Sequence, residues 1–159
     1  MPKSKNCCSL LLLTLWLGTV SGHAQQYELR RVNDTLYYLN EWRLPYPVYQ
    51  FQTGDVDGNG QTDCMVGVIK KARFHREKAR RLFIFKQVKG KVRPLWLGSR
   101  LGGTLHDFRY VDGYVRCLET YGDSLWAVTD YQWDKFGMDF ARYIVKDANE
   151  DTAIEKFWR

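Results

Sequence analysis

The sequence predicts an all-β fold, with about ten short strands assembled into antiparallel sheets within one domain. Short runs of Val, Ile, Leu, Phe, Tyr and Trp recur between Gly, Asp and Asn turn signals, while helical periodicity is nearly absent. Aromatic residues make up 15% of the chain, a share that suits pleated, half-buried surfaces.

Taken in order, residues 1–24 read as a cleavable secretory signal. A basic start at Lys3 and Lys5 precedes an apolar run over 10–20 and a small-residue exit at Gly22-His23-Ala24. Cleavage after Ala24 leaves 135 residues from Gln25 onward, enough for one core and short for two. The apolar run is far shorter than the roughly 20 residues that cross a bilayer, and no later segment reaches that length. The expectation is an exported protein, periplasmic or extracellular, without a membrane span.

An all-β domain over 25–148 follows, with strands at 27–32, 36–42, 48–52, 64–74, 81–88, 92–98, 105–111, 114–121, 124–133 and 140–146. Asn33-Asp34, Lys89-Gly90, Asp112-Gly113 and Gly122-Asp123 each place residues tolerant of positive φ between apolar runs, so neighbouring strands should pair antiparallel. Pro45 and Pro47 interrupt any strand and mark a connector. The tail 149–159 has room for a helical turn or two, capped by Asp151 or Thr152. Cys64 and Cys117 are the only cysteines after residue 24; a disulfide between them and two buried thiols both fit the sequence.

The most informative segment is 54–63, Gly-Asp-Val-Asp-Gly-Asn-Gly-Gln-Thr-Asp. Calcium takes six to eight hard oxygen ligands, and here Asp55, Asp57, Asn59 and Asp63 supply carboxylate or amide oxygens at alternating positions of a tight loop. Gly60 permits the sharp turn, and the Gln61 carbonyl offers one more ligand. Position twelve, where a helix-loop-helix hand carries its Glu, is Val66, and both flanks look like strands, which argues against such a hand. The alternative is a plain polar turn.

This segment resembles the FG-GAP or integrin-type (VCBS-like) repeat of β-propellers, in which Asp-x-Asp-x-Asp-Gly-x-x-Asp links two strands of a blade. Asp55, Asp57, Asn59, Gly60 and Asp63 carry the pattern, over about 20 residues. The resemblance implies calcium at these residues and two or so blade-like units in the domain. Asn59 replaces the usual third Asp, and 135 residues are too few for the family's closed ring. An internal echo points the same way: the unit after Phe51, leading to Cys64, is matched by the unit after Phe108, leading to Cys117. It places the two cysteines at equivalent positions in successive sheets, with a turn four residues shorter in the second.

Charge is uneven. Between Lys70 and Arg93 lie eleven basic residues and one acid, Glu77. The stretch predicts a long hairpin with 75–79 at its tip, offering Lys70, Lys71, Arg73, Arg76, Lys78, Arg80 and Arg81 either as a solvated face or as a patch for polyanions. Nucleic acid is a poor partner for an exported chain. Trp96, Trp126, Trp133 and Tyr131 are candidates for a sugar-binding face, against the simpler use of core packing. Only His75 and His106 remain after residue 24, and no nucleophile motif, zinc spacing or phosphate-cradling loop is present. The expected function is therefore a non-catalytic, calcium-binding module for a protein or glycan partner. The alternatives are an exported carbohydrate-active enzyme with an unidentified carboxylate site and a polyanion-binding surface protein.

Overall fold

The computed structural model describes residues 26–72, 75–98, 101–122 and 124–159. The segment 1–24 and Arg73 lie outside them. The chain forms eleven strands and one helix among the described residues, in three antiparallel sheets.

The N-terminal sheet holds β1 (Leu29–Asn33), β2 (Leu36–Leu39) and β3 (Trp42–Leu44). The single strand expected over 36–42 is two, because Asn40 turns the chain at φ 51°. Asparagine tolerates that left-handed region, and its side chain ties the turn down: Oδ1 accepts from the Glu28 amide at 2.9 Å, and Nδ2 donates to the Gln26 carbonyl at 3.2 Å. Pro45 and Pro47 lie in the connector to the next sheet, as their lost N–H groups require.

The middle sheet is a four-stranded meander, β4 (Val48–Gly54), β5 (Asp63–Ala72), β6 (His75–Val88) and β7 (Lys91–Trp96). The C-terminal sheet repeats it with β8 (Thr104–Val111), β9 (Tyr114–Tyr121), β10 (Leu125–Asp134) and β11 (Gly137–Ala148). Lys89-Gly90 and Asp112-Gly113 turn with both residues at positive φ (52° and 74°, 50° and 84°), the geometry that matches strand twist in two-residue hairpins. Strand β6 starts six residues earlier than expected, so 75–79, read as a hairpin tip, belong to the strand instead.

The sheets stack in series. Leu39 and Leu44 of the first sheet pack on Cys64, Val66, Val68, Phe83 and Phe85 of the second. The opposite face of the second, through Met65, Leu82 and Ile84, packs on Leu105, Phe108, Val115 and Cys117 of the third. Strand alternation explains how β5 serves both interfaces, and why it reads as an unbroken apolar run. Each fully buried side chain of this size contributes roughly 1.5–3 kcal/mol.

The outer face of the third sheet is covered by helix α1 (Glu150–Trp158), through Ala153 and Phe157 against Leu118 and Val128. The cap is Asn149 rather than Asp151 or Thr152: its side chain accepts from the Thr152 amide at 2.9 Å, and the two expected caps lie inside the first turn. Glu150 and Asp151 there complement the helix dipole.

Two four-stranded meanders in succession have the strand topology of propeller blades. The cysteines sit on corresponding strands but not at corresponding positions. Phe51 pairs with Val66, whereas Phe108 pairs with Cys117, so Val66 is the counterpart of Cys117 and the second loop is six residues shorter, not four. Cys64 faces the N-terminal sheet and Cys117 faces the middle sheet, a whole layer apart. Both are free, buried thiols, and burial pushes both thiol pKa values up.

Candidate metal centre and adjoining cleft

The loop between β4 and β5 is wound by its own side chains. Asp55 accepts from the amides of Asn59 (3.0 Å) and Gly60 (2.8 Å), Asp57 from that of Asn59 (3.3 Å), and Asn59 from that of Gln61 (2.7 Å). These short-range bonds are what Asp and Asn offer a turn. Gly58 and Gly60, at φ 69° and 81°, take conformations that a side chain would strain.

This winding gathers the carboxylates of Asp55, Asp57 and Asp63 so that one oxygen from each lies within 4.8 Å of the others. Asp63, the first residue of β5, is fully buried. Its Oδ2 accepts from the amides of Val56 (3.0 Å) and Asp57 (3.3 Å), while its Oδ1 has no hydrogen-bond partner. Burial, and then the negative charge of Asp57, push its pKa up to about 6. Lys86 Nζ lies 3.9 Å from Asp57 Oδ2.

Other buried carboxylates of this chain behave differently. Glu119 accepts from the Gly103 amide and the hydroxyls of Tyr121 and Tyr131, at 2.9–3.1 Å. Asp130 is held by Arg116 at 2.8 Å and by Arg142 at 3.0 Å. Native interiors leave few polar groups unpaired, and Asp63 Oδ1 is one of them, beside two further carboxylates. The cluster can hold a metal ion. Asn59 lies in the same loop with its side-chain oxygen spent in part on Gln61, and the Gln61 carbonyl is the remaining expected ligand.

Two tyrosines tether the loop from either side. Tyr110 of β8 donates to the Asp55 carbonyl at 2.6 Å, and Tyr27 donates to the Thr62 carbonyl at 3.1 Å. Tyr110 lies so close to Gly54 that a Cβ there would sit 2.3 Å from its ring, which explains the glycine. Neither tyrosine is legible as a partner in the sequence, being 35 and 55 residues from its acceptor.

The basic residues of 70–81 differ in exposure. Lys71, Arg76, Lys78 and Arg80 are exposed, whereas Lys70 packs over the rings of Tyr46 and Phe83 and Arg81 is half-buried. Of the aromatic candidates for a sugar face, Tyr131 is buried on Glu119, and Trp96 and Trp133 pack against the core between the two large sheets. Trp126 alone borders a cleft, a cavity of about 280 Å³ where β6, the C-terminal sheet and α1 meet. His106 lines it as well, its ring tilted against Trp126 at 4.4 Å and its Nε2 2.9 Å from Thr120 Oγ1. Burial and the charge of Arg80 hold the His106 pKa below its ordinary value.

Compared with known proteins, the chain matches no family model, and neither a curated protein nor a solved structure matches it significantly.

Proposed function

We propose that this chain is an exported, calcium-stabilised all-β binding module that does no chemistry of its own. The observation that carries the metal is the buried, unpartnered Oδ1 of Asp63 beside the carboxylates of Asp55 and Asp57. The gathered donors are all hard carboxylate oxygens, and a wound loop with amide and carbonyl oxygens suits the irregular, high-coordination sphere of calcium better than the strict octahedron of magnesium. Asp55, Asp57 and Asp63 would hold the ion, with the Asn59 amide and the Gln61 carbonyl completing the shell. The FG-GAP-like spacing of these residues supports the same reading, as does the loop's place between two strands of a meander.

The role of the ion would be structural. The loop is tethered to the C-terminal sheet by Tyr110, so neutralising its three carboxylates would fix the seam between the two large sheets. Export rests on the pattern of residues 1–24, and no helix among the described residues is long and apolar enough to cross a membrane.

Calorimetric titration of the chain beginning at Gln25 with calcium tests the metal. The expected result is one site per chain and a rise in melting temperature that chelator reverses. No binding heat and an unchanged melting temperature would refute it. Secretion of the full chain, with a new N-terminus at Gln25, tests export.

A further inference from the structure

The cleft bordered by Trp126 has no part in the calcium loop. Its floor is apolar, formed by Leu118 and Phe157. At its edge stands Trp158, 61% exposed and yet held in place. Phe157 meets its ring at 5.0 Å, the Arg109 guanidinium lies 5.7 Å from its centroid, and Arg109 also donates to the Phe157 carbonyl at 3.0 Å. An exposed indole already fixed in place adds contact area to a ligand at little entropic cost.

Arg80 brings the opposite chemistry. Its side chain is anchored over the ring of Tyr49 at 4.8 Å and donates to the His106 carbonyl, and it forms no ion pair among the described residues. Four of its five N–H donors are not used by that bond. Asp107 and Glu150 are also in the lining; Asp107 Oδ1 already accepts from the Phe108 amide at 2.9 Å, so a ligand would meet its second oxygen and the Glu150 carboxylate. Beyond Arg80, Lys78 and Arg76 continue β6 outward, both exposed.

Flat aromatic surface, carboxylate acceptors and one unpaired guanidinium together suit a ring that is apolar on its face, rich in hydroxyls at its edge and singly anionic. The lining sets two carboxylates against one guanidinium, so a polyphosphate chain, charged at every unit and without hydroxyls to donate, would meet Asp107 and Glu150 with like charge; a singly charged sugar ring can turn its one anion to Arg80 and its hydroxyls to the carboxylates, and a neutral sugar would leave Arg80 unused. We propose that the cleft binds one residue of an acidic oligosaccharide, with its ring against Trp126 and Trp158, its carboxylate or sulfate on Arg80, and the rest of the chain running out past Lys78 and Arg76. This rests on the reading of the protein as a binding module and is independent of the metal loop.

The test is titration of the chain beginning at Gln25, followed by tryptophan fluorescence, with a galacturonate hexamer, which carries carboxylates only, a kappa-carrageenan hexasaccharide, which carries sulfates only, cellohexaose and a poly-glutamate peptide. Both acidic sugars should bind and shift the emission, about tenfold or more tighter than cellohexaose or the peptide, equivalent to about 1.4 kcal/mol. Trp158→Ala and Arg80→Gln should each weaken acidic-sugar binding about tenfold, with Trp158→Ala leaving the melting temperature and the calcium response in place. Whichever acidic sugar binds tighter identifies carboxylate or sulfate as the anion. Equal binding of cellohexaose, or equal binding of poly-glutamate, overturns the proposal. So does full affinity in Trp158→Ala together with loss in Arg76→Ser/Lys78→Ser, which would reduce the site to a charged patch. Loss of the calcium response with sugar binding retained refutes the metal reading alone, and the reverse refutes the cleft alone.

Discussion

Replacing Asp63 with Asn should raise the stability of the calcium-free protein at neutral pH and remove its response to calcium. In the folded chain the Asp63 pKa is about 6, against an ordinary 3.8, because the carboxylate is buried beside Asp57 and Asp55. A raised acid pKa means that the folded state holds its proton more tightly than the unfolded state. The stability this contributes is complete below pH 3.8 and is lost as pH rises through 6. Two pKa units correspond to about 3 kcal/mol, the cost of ionising Asp63 in the metal-free fold at pH 7.5. Asn keeps the shape: its oxygen can accept from Val56 and Asp57, and its amide can donate toward the neighbouring carboxylates. Urea unfolding of both proteins in chelator, at pH 4 and pH 7.5, measures the difference with the groups remote from Asp63 cancelling. Asp63→Asn should be the more stable by up to about 3 kcal/mol at pH 7.5, with little difference at pH 4. At calcium near 100 times its dissociation constant the wild type should recover about 2.7 kcal/mol, and the variant almost none. An Asn variant less stable than wild type in chelator at pH 7.5, or one that calcium stabilises equally, would refute the reasoning.

Asp130→Ala leaves Arg116 buried without its partner and should cost about 3–5 kcal/mol in denaturant unfolding. Phe157→Ala empties the space between α1 and the C-terminal sheet and should cost about 3–5 kcal/mol, whereas Asn149→Ala removes only the cap, for about 1 kcal/mol. Gly54→Ala drives a methyl group into the Tyr110 ring; it should cost about 1–3 kcal/mol and weaken calcium binding by disturbing the bond from Tyr110 to the Asp55 carbonyl. Two thiols should react with a thiol reagent only after the chain from Gln25 is unfolded, and reductant should leave its melting temperature unchanged.

Local chemistry made most strands legible. Lys89-Gly90 and Asp112-Gly113 place their turns by backbone preference alone, and the strands on either side follow. Asn40 shows the limit, for a single asparagine inside an apolar run turns the chain where Glu28 and Gln26, from the segment before β1, hydrogen-bond its side chain. The acidic cluster was readable because Asp55, Asp57 and Asp63 lie within one short segment that their own side chains wind into a loop. The cleft was not, since its parts come from β6, β8, β9, β10 and α1, and in the sequence Trp158 is one more residue of a polar tail. The register of Cys117 was misplaced by two residues for a similar reason: spacing along the chain follows loop length, while the ladder counts only paired residues.

The serial stacking of the sheets bears on how the molecule opens. Each layer touches only its neighbours, as in a linear repeat array, so local stability should grade along the stack instead of being shared evenly. The N-terminal sheet is the end of that line: it has three short strands, and β1 is exposed along most of its length. Its amides should exchange with deuterium by fraying, at rates well above that of global unfolding. Strand β5, enclosed on both faces, should exchange last, and because Asp63 of the carboxylate cluster is its first residue, an ion bound there would slow the release of its whole foldon.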